Sequence, residues 1–334
     1  MIRRNVLLFT FFLGLVIPTT SFSSQPKAVW DQISARAGGE TLLLPLVMDG
    51  FSRALGGESV RNTVDALIAD FLMKNPDLAL PMQKAILKFS LLSPLYQAHL
   101  GFGPQLLGSE LSLEEVKSRA EILAFKELLS MQSNNSIQLS SPVALHLYQV
   151  DVREDFDDGM NDTIYLYAIM TDGTVTWGKV TGQYPSIDEA QSVMLSAEDR
   201  ILYPTPGISS KIPSTHLIVD YGIMESDGDD IAALQKLSSE ILQIAKEVLM
   251  LVYPDYAALT EILARETQTL LSSILALNYD DRMAVGTVRM STDEIAGMLN
   301  NQSYYEFSRT HKGTGFEFPF SSDWEYQVWF RLLK

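Results

Sequence analysis

The spacing of the apolar residues changes near Ser140, and this change constrains the fold more than any other feature of the chain. Before Ser140, apolar residues recur at helical intervals, as Val60, Val64 and Leu67 do. After it, stretches rich in Val, Ile, Tyr and Thr partly alternate apolar with polar residues, which is typical of strands in an antiparallel sheet. The sequence therefore predicts an α+β chain, in which an N-terminal all-helical domain precedes an antiparallel β-sandwich.

The polar stretch QSNNSIQLSSP separates the two patterns and is interpreted as the domain boundary. A second helical pattern, at about residues 231–277, lies between the strand-like stretches THLIVDYGIM and RMAVGTVRMS. We therefore expect a helical domain at 24–140 and a sandwich domain at 141–334, with a helical insertion at about 231–277.

The first 23 residues have the order of a secretory signal peptide. Arg3 and Arg4 precede an apolar run at 6–17, Pro18 ends that run, and small residues lead up to Ser24. The run is shorter than an ordinary membrane-spanning helix. The sequence predicts a secreted or periplasmic protein, and an N-terminal membrane anchor is the alternative.

The composition excludes several kinds of site. The chain contains no cysteine, so disulfides, thiolate zinc sites and cysteine nucleophiles are ruled out. It has 25 basic and 41 acidic residues and a net charge of -16. Because nucleic-acid binding needs a basic face, no nucleic-acid partner is expected for this acidic protein.

Three acidic segments flank predicted strands: VDVREDFDDGMNDTIYLY, ESDGDD and NYDDRMAVG. If the strand ends share one rim of the sandwich, the carboxylates converge, and they then raise each other's pKa or bind a cation. Calcium suits such a site, since it takes six to eight oxygen ligands in tolerant geometry. Solvated turns, in which Asp, Asn and Gly are common, are the alternative. The candidate metal ligands are Asp155, Asp157, Asp158, Asp162, Glu225, Asp227, Asp280 and Asp281.

The stretch DDGMNDTIYLYAI resembles the first calcium loop of the C-two type domain of protein kinase C and synaptotagmin. That family reads Asp-x-x-Gly-x-Ser-Asp-Pro-Tyr at the start of a strand, and its second loop opens with Asp-x-Asp and closes with Asp-Asp-x-Ile-Gly. Phe156 stands at the place of the family's first loop aspartate. The matching positions in this chain are Gly159, Asn161, Asp162, Glu225, Asp227, Asp280, Asp281 and Gly286.

The resemblance covers about residues 143–334, with the helical insertion set aside. It implies a calcium-binding β-sandwich in which the ion bridges the loops to anionic lipid. Calcium is therefore the expected cofactor, and a protein or a membrane surface is the expected partner, bound in a calcium-dependent way.

Catalytic motifs are absent from the sequence: there is no Gly-x-Ser-x-Gly elbow, no His-Glu-x-x-His and no phosphate-binding glycine loop. His99, His146 and His216 are interpreted as structural histidines, whereas His311 is expected to be exposed beside a flexible, glycine-rich turn. A sugar site is one use of the aromatic residues, but Trp324 to Trp329 are interpreted as alternating between the core and the surface of a closing strand. The aromatic candidates are Trp177, Tyr184, Trp324, Tyr326 and Trp329.

The expected function is that of an exported, non-enzymatic protein whose calcium-binding sandwich has a structural or interaction role. Two alternatives stay open. One is a secreted metal-dependent hydrolase that uses the acidic rim, and the other is a secreted membrane-active effector that acts through the helical domain.

Overall fold

The computed structural model describes residues 43–90, 139–154, 162–187, 190–205, 207–225, 231–252, 264, 266–267, 269–271, 283–317 and 320–334. The predicted signal peptide lies outside these residues, and so do most of the acidic segments. Within the described residues the chain forms five α-helices and ten β-strands.

Five α-helices are described, and two of their starts show why they begin where they do. The Asn62 side chain accepts a hydrogen bond from the backbone N–H of Asp65 at 2.9 Å, which caps the second helix. Ser291 and Glu294 form a reciprocal capping box at the start of the fifth. The helices are α1 (Leu43–Gly56), α2 (Thr63–Lys74), α3 (Ala79–Ser90, after a 3-10 turn at Pro76–Leu78), α4 (Ile231–Val252) and α5 (Thr292–Met298).

Ten strands form two antiparallel sheets. The strands are β1 (Ala144–Glu154), β2 (Asp162–Thr171), β3 (Thr176–Val180), β4 (Tyr184–Ile187), β5 (Ser192–Met194), β6 (Ile201–Tyr203), β7 (His216–Glu225), β8 (Met283–Ser291), β9 (Tyr304–Glu317) and β10 (Phe320–Leu333). In the first sheet the order is β5-β1-β10-β9, and β6 also pairs with β1. In the second it is β3-β2-β7-β8, and β4 also pairs with β2. The predicted α+β fold class, helices followed by an antiparallel sandwich, is confirmed.

The core lies between the two sheets and follows the two-residue period of the strands. On β10, Val328, Phe330 and Leu332 are fully buried, whereas Trp329 and Arg331 between them are only half-buried. Apolar residues of β1, β2, β7 and β8 complete the same cluster. Since burying one face of each sheet removes most of their apolar area from water, this cluster is the main stabilising contact between the sheets.

Helix α4 packs on β3 at the edge of the second sheet, and outward-facing side chains of this sheet are buried as well. Tyr165, Tyr167 and Ile169 point away from the core cluster and are nevertheless buried. Helix α4 contacts β3 on this face, and it also contacts α1 and α2. The N-terminal helices therefore pack on the helix that the sequence predicts as an insertion in the sandwich.

Candidate functional site

The register of the second sheet brings the ends of three strands to one rim. Strand β2 begins at Asp162, and Ile164 pairs with Glu225, the last residue of β7. Met224 in turn pairs with Met283, the first residue of β8. Adjacent strands lie about 4.8 Å apart, so these three ends are close neighbours. We call this end of the sheet the acidic rim, after the acidic segments that adjoin it in sequence.

The predicted ligands divide into two groups at this rim. Asp162 and Glu225 lie at strand ends on neighbouring strands, and the structure describes only their backbone. The other six lie outside the described residues: Asp155, Asp157, Asp158, Asp227, Asp280 and Asp281. Among the residues that are described, no group of three or more acidic or histidine side chains is placed to hold a metal ion. The calcium site therefore stays a prediction.

Basic side chains near the end of β1 are already paired with one carboxylate. Arg153 and Lys312 lie 3.4 Å and 2.6 Å from the carboxylate oxygens of Glu325, which pairs with Glu154 at the end of β1. The hydrogen bond from Lys312 holds the pKa of Glu325 below its usual range. These two cations therefore stabilise Glu325 as a carboxylate.

A groove of about 510 Å³ runs beside β3, the edge strand of the second sheet. One wall is α4, which contributes Ser239 and Leu242, and the other is formed by residues 198–201 and 207–208. Residues 177–180 of β3 form the floor. Its volume lies in the range of ordinary ligand-binding clefts, which is about 300–1,000 Å³.

Polar contacts fix the wall opposite α4. The Lys179 ammonium donates hydrogen bonds to the backbone carbonyls of Glu198 and of Ile201, the latter at 3.1 Å, and burial lowers the pKa of Lys179. The Asp199 carboxylate accepts hydrogen bonds from the Tyr184 hydroxyl at 2.6 Å and from the Gly182 N–H at 3.2 Å. Since these contacts tie the wall to β3 and β4, the groove has one rigid side.

His146 on β1 lies in a cationic environment beside this wall. Burial, with the positive charges of Arg200, Arg331 and Lys179, lowers the pKa of His146 to about 4. A base whose pKa is depressed in the folded state is protonated more readily in the unfolded state. Its contribution to stability is therefore present above pH 6.5, the unfolded pKa, and is lost as the pH falls towards 4.

We expect His146→Gln to reduce the acid sensitivity of the fold. The free energy of unfolding of the variant should fall less than that of the wild type between about pH 7 and about pH 4, by about 1–2 kcal/mol after allowance for solvent screening at a half-buried site. Urea unfolding at the two pH values measures this difference. Equal losses for the two proteins would show that His146 does not titrate in this way.

One sequence-based expectation about another residue is wrong. His311 was expected beside an exposed turn, but it lies within β9, half-buried, with Nε2 2.7 Å from the Tyr221 hydroxyl. The aromatic candidates whose side chains are described lie in separate places. Trp177 lines the groove, Tyr326 lies in the core, and the Trp329 indole donates to Asp151 at 2.6 Å on the first sheet.

The comparisons with known proteins add little. No protein-family model and no curated protein matches the chain. One solved structure is similar, with the printed description "CC2D1B coordinates ESRCT-III activity during the mitotic reformation of the nuclear envelope". The match has 8% sequence identity and a TM-score of 0.22, and it covers 91% of this chain and 87% of that chain. A likeness at this TM-score carries no argument about function.

Of the helices that the structure describes, none has both the length and the apolar character that a membrane span needs.

Proposed function

We propose that this chain is an exported, non-enzymatic binding module of the C-two type, in which calcium bound at the acidic rim supports a structural or interaction role. The observation that carries the proposal is the register at the rim. Asp162 begins β2 and Glu225 ends β7, on neighbouring strands, and β8 begins beside them. The three acidic segments therefore adjoin the same end of one sheet.

Charge and composition favour a cation there. The chain has a net charge of -16, and carboxylates a few ångström apart repel each other unless they are protonated or bound to a cation. Calcium accepts such a set in irregular geometry, whereas magnesium requires a nearly octahedral one. In a protein without cysteine, a bound ion also replaces part of the stability that disulfides give to exported proteins.

The proposed partner is a protein or a membrane surface, bound in a calcium-dependent way. A strongly acidic rim repels anionic surfaces until the ion is bound, so calcium would act as a switch for association. Export through the N-terminal segment would place the module where calcium is abundant.

Thermal unfolding of the purified protein in chelator, in calcium and in magnesium tests the site. We expect calcium to stabilise the fold by about 1.4 kcal/mol at ten times its dissociation constant, and magnesium to have a smaller effect. Asp162→Asn and Asp227→Asn should each reduce the calcium effect. Asp70→Asn, a change of the same kind on the exposed face of α2, should leave it intact.

Two results would count against the proposal. If calcium gives no stabilisation, the acids are solvated turns. If Asp70→Asn reduces the calcium effect as much as Asp162→Asn does, the ion acts through the general negative charge of the protein and not through a site at the rim.

A further inference from the structure

The pairing of β3 with β2 shows which backbone groups of β3 face the groove. In an antiparallel pair, opposite residues alternate between those that exchange hydrogen bonds and those whose N–H and C=O point outwards. The Thr181 N–H donates to the carbonyl of Leu166, its opposite residue, at 2.8 Å. Counting back by twos from Thr181, the backbone groups of Lys179 and Trp177 also face β2. Those of the residues between them, Thr176, Gly178 and Val180, therefore point away from β2.

Side chains of α4 confirm this direction and cover both ends of the outward edge. The Gln235 amide donates to the Val180 carbonyl at 3.3 Å, and the Lys246 ammonium donates to the Thr176 carbonyl at 2.7 Å. Between these two contacts lies Gly178, whose N–H and C=O have no hydrogen-bond partner among the described residues. The N–H and C=O of Gly178 therefore offer a donor and an acceptor to a ligand in the groove.

The size and the walls of the groove fit a single extended chain. Thr176 and Val180 are four strand steps apart, roughly 13 Å at about 3.3 Å for each residue. The walls rise on both sides of this floor, from α4 and from residues 198–201 and 207–208. The β3 edge of a second copy of the protein carries the same two walls, which would meet the walls of this groove. An isolated strand has no such walls and meets no such obstacle.

The charges at the groove favour a basic residue in the bound chain. Glu198 and Asp199 both line it, and Glu198 is exposed. The ammonium of Lys179 is directed at the backbone carbonyls of the wall, and a second cation, Lys246, lies on α4 at the Thr176 end of the edge. A basic residue of the bound chain would therefore lie at the wall opposite α4, beside Glu198 and Asp199. Leu242 and Ile208 provide apolar contacts for neighbouring side chains.

We propose that this groove binds an extended peptide segment with a basic residue, which adds as a further strand to the free edge of β3 at Gly178. Main-chain hydrogen bonds to Gly178 would supply part of the affinity, and the walls would select side chains. This inference concerns the opposite edge of the second sheet from β8 and does not depend on calcium.

The probe is the capped pentapeptide acetyl-Thr-Val-Arg-Val-Thr-amide, titrated into the ¹⁵N-labelled protein in chelator and in calcium. A strand added to an edge uses the backbone of alternate residues only. N-methylation removes the backbone N–H of a residue, so two matched peptides test whether alternate residues are used. One is N-methylated at Arg and the other at both Val residues. We expect the parent peptide to shift the Gly178 amide resonance saturably, one methylated peptide to bind at least about tenfold more weakly, and the other to bind nearly as well.

Two protein variants test the location. Ser239→Arg places a long cationic side chain on the wall of the groove and should weaken binding at least about tenfold. Ser303→Arg makes the same substitution at an exposed residue next to β9, at the far edge of the first sheet, and it should leave binding unchanged. Thermal unfolding verifies that both variants fold.

The proposal is overturned if the parent peptide gives no saturable shift at about 1 mM, or if both methylated peptides bind as the parent does. It is also overturned if Ser239→Arg and Ser303→Arg bind equally, or if sedimentation shows a dimer that the peptide dissociates, since a second copy would then occupy the edge. Binding that is the same in chelator and in calcium would keep this inference separate from the fate of the calcium site.

Discussion

Asp65→Asn is expected to lower the free energy of unfolding by about 3 kcal/mol. The Asp65 carboxylate lies between α1 and α2 and accepts two hydrogen bonds from the Arg53 guanidinium, at 2.9 Å and 3.1 Å. Arg53 and Asp65 are only 4% and 5% exposed. Breaking a buried pair leaves an uncompensated charge, which is why the expected loss is large.

The surroundings of the Arg53–Asp65 pair determine how much stability Asp65→Asn removes. Arg53 is in the last turn of α1 and Asp65 in the first turn of α2, so each charge also interacts favourably with the dipole of its own helix. The Arg61 N–H donates to the same carboxylate oxygen of Asp65 at 2.9 Å. Because Arg53 keeps a contact with Glu58 at 3.1 Å in the variant, the loss is placed at the lower end of the range for buried pairs.

A matched variant separates this pair from ordinary surface charge. Asp70→Asn removes an exposed ion pair with Lys74 on the same helix and should change the free energy of unfolding by less than about 0.5 kcal/mol. Urea unfolding measures both. Arg53→Met combined with Asp65→Leu should recover most of the loss, since apolar residues replace buried pairs well. Equal effects of Asp65→Asn and Asp70→Asn would rule out a structural role for the pair.

The long strands were predictable from sequence because each keeps a nearly continuous local pattern. Strands β7 and β8 correspond to THLIVDYGIM and RMAVGTVRMS, and α4 begins where the helical pattern resumes at Ile231. The short strands β5 and β6 were not predicted, since each has three residues, too few for a period to show.

The wrong prediction at His311 has a physical cause. Gly313 and Gly315 are typical of a turn, but here they lie in β9, paired with Trp324 and Ser322 of β10. Cross-strand pairing is a non-local contact that overrides the local preference of glycine. The sequence places the glycines near a hairpin correctly, but it does not contain the register that puts them in the strand.

The groove beside β3 was missed for a related reason. Its floor, its two walls and its capping side chains come from three separate segments, at 177–180, 198–208 and 235–246. None of them carries a motif, because the groups that matter are the backbone N–H and C=O of Gly178. Which backbone groups of a strand point outwards depends on its register with the neighbouring strand, and this is known only from the structure.

At the acidic rim, by contrast with the groove, the residues of interest are visible in the sequence. The sequence identifies the acids, and the structure supplies the register of the flanking strand ends. Asp162 and Glu225 meet the condition on which the prediction rested, that the strand ends share one rim. The ligand set itself is a matter for the calcium experiment.

Gly286→Ala is expected to lower the free energy of unfolding by about 2–3 kcal/mol. Gly286 of β8 lies opposite Tyr221 of β7, and the tyrosine ring lies over the glycine. A Cβ at this position would overlap the Cζ and the hydroxyl of Tyr221 and would lie 2.7 Å from its Cε1. The added methyl group therefore requires the ring to move.

The ring cannot move without loss, since it joins the two sheets. Tyr221 is fully buried, its ring lies 5.2 Å from that of Phe330 on β10, and its hydroxyl lies 2.7 Å from His311 Nε2 on β9. Displacing it would weaken an aromatic contact and a hydrogen bond in the core. The resemblance to the C-two type family matches Gly286 to a loop glycine, but the structure gives it a packing role.

Urea unfolding of four variants tests this account: Gly286→Ala, Gly297→Ala, Tyr221→Leu and the double variant. Gly297→Ala, in α5, where no atom lies within 4 Å of the new Cβ, should instead raise stability by about 0.5–1 kcal/mol. Tyr221→Leu makes room for the methyl group, so in that background Gly286→Ala should lower stability by less than about 1 kcal/mol. If Gly286→Ala destabilises the Tyr221→Leu protein as strongly as the wild type, the loss comes from the backbone of β8 and not from the tyrosine that links the sheets.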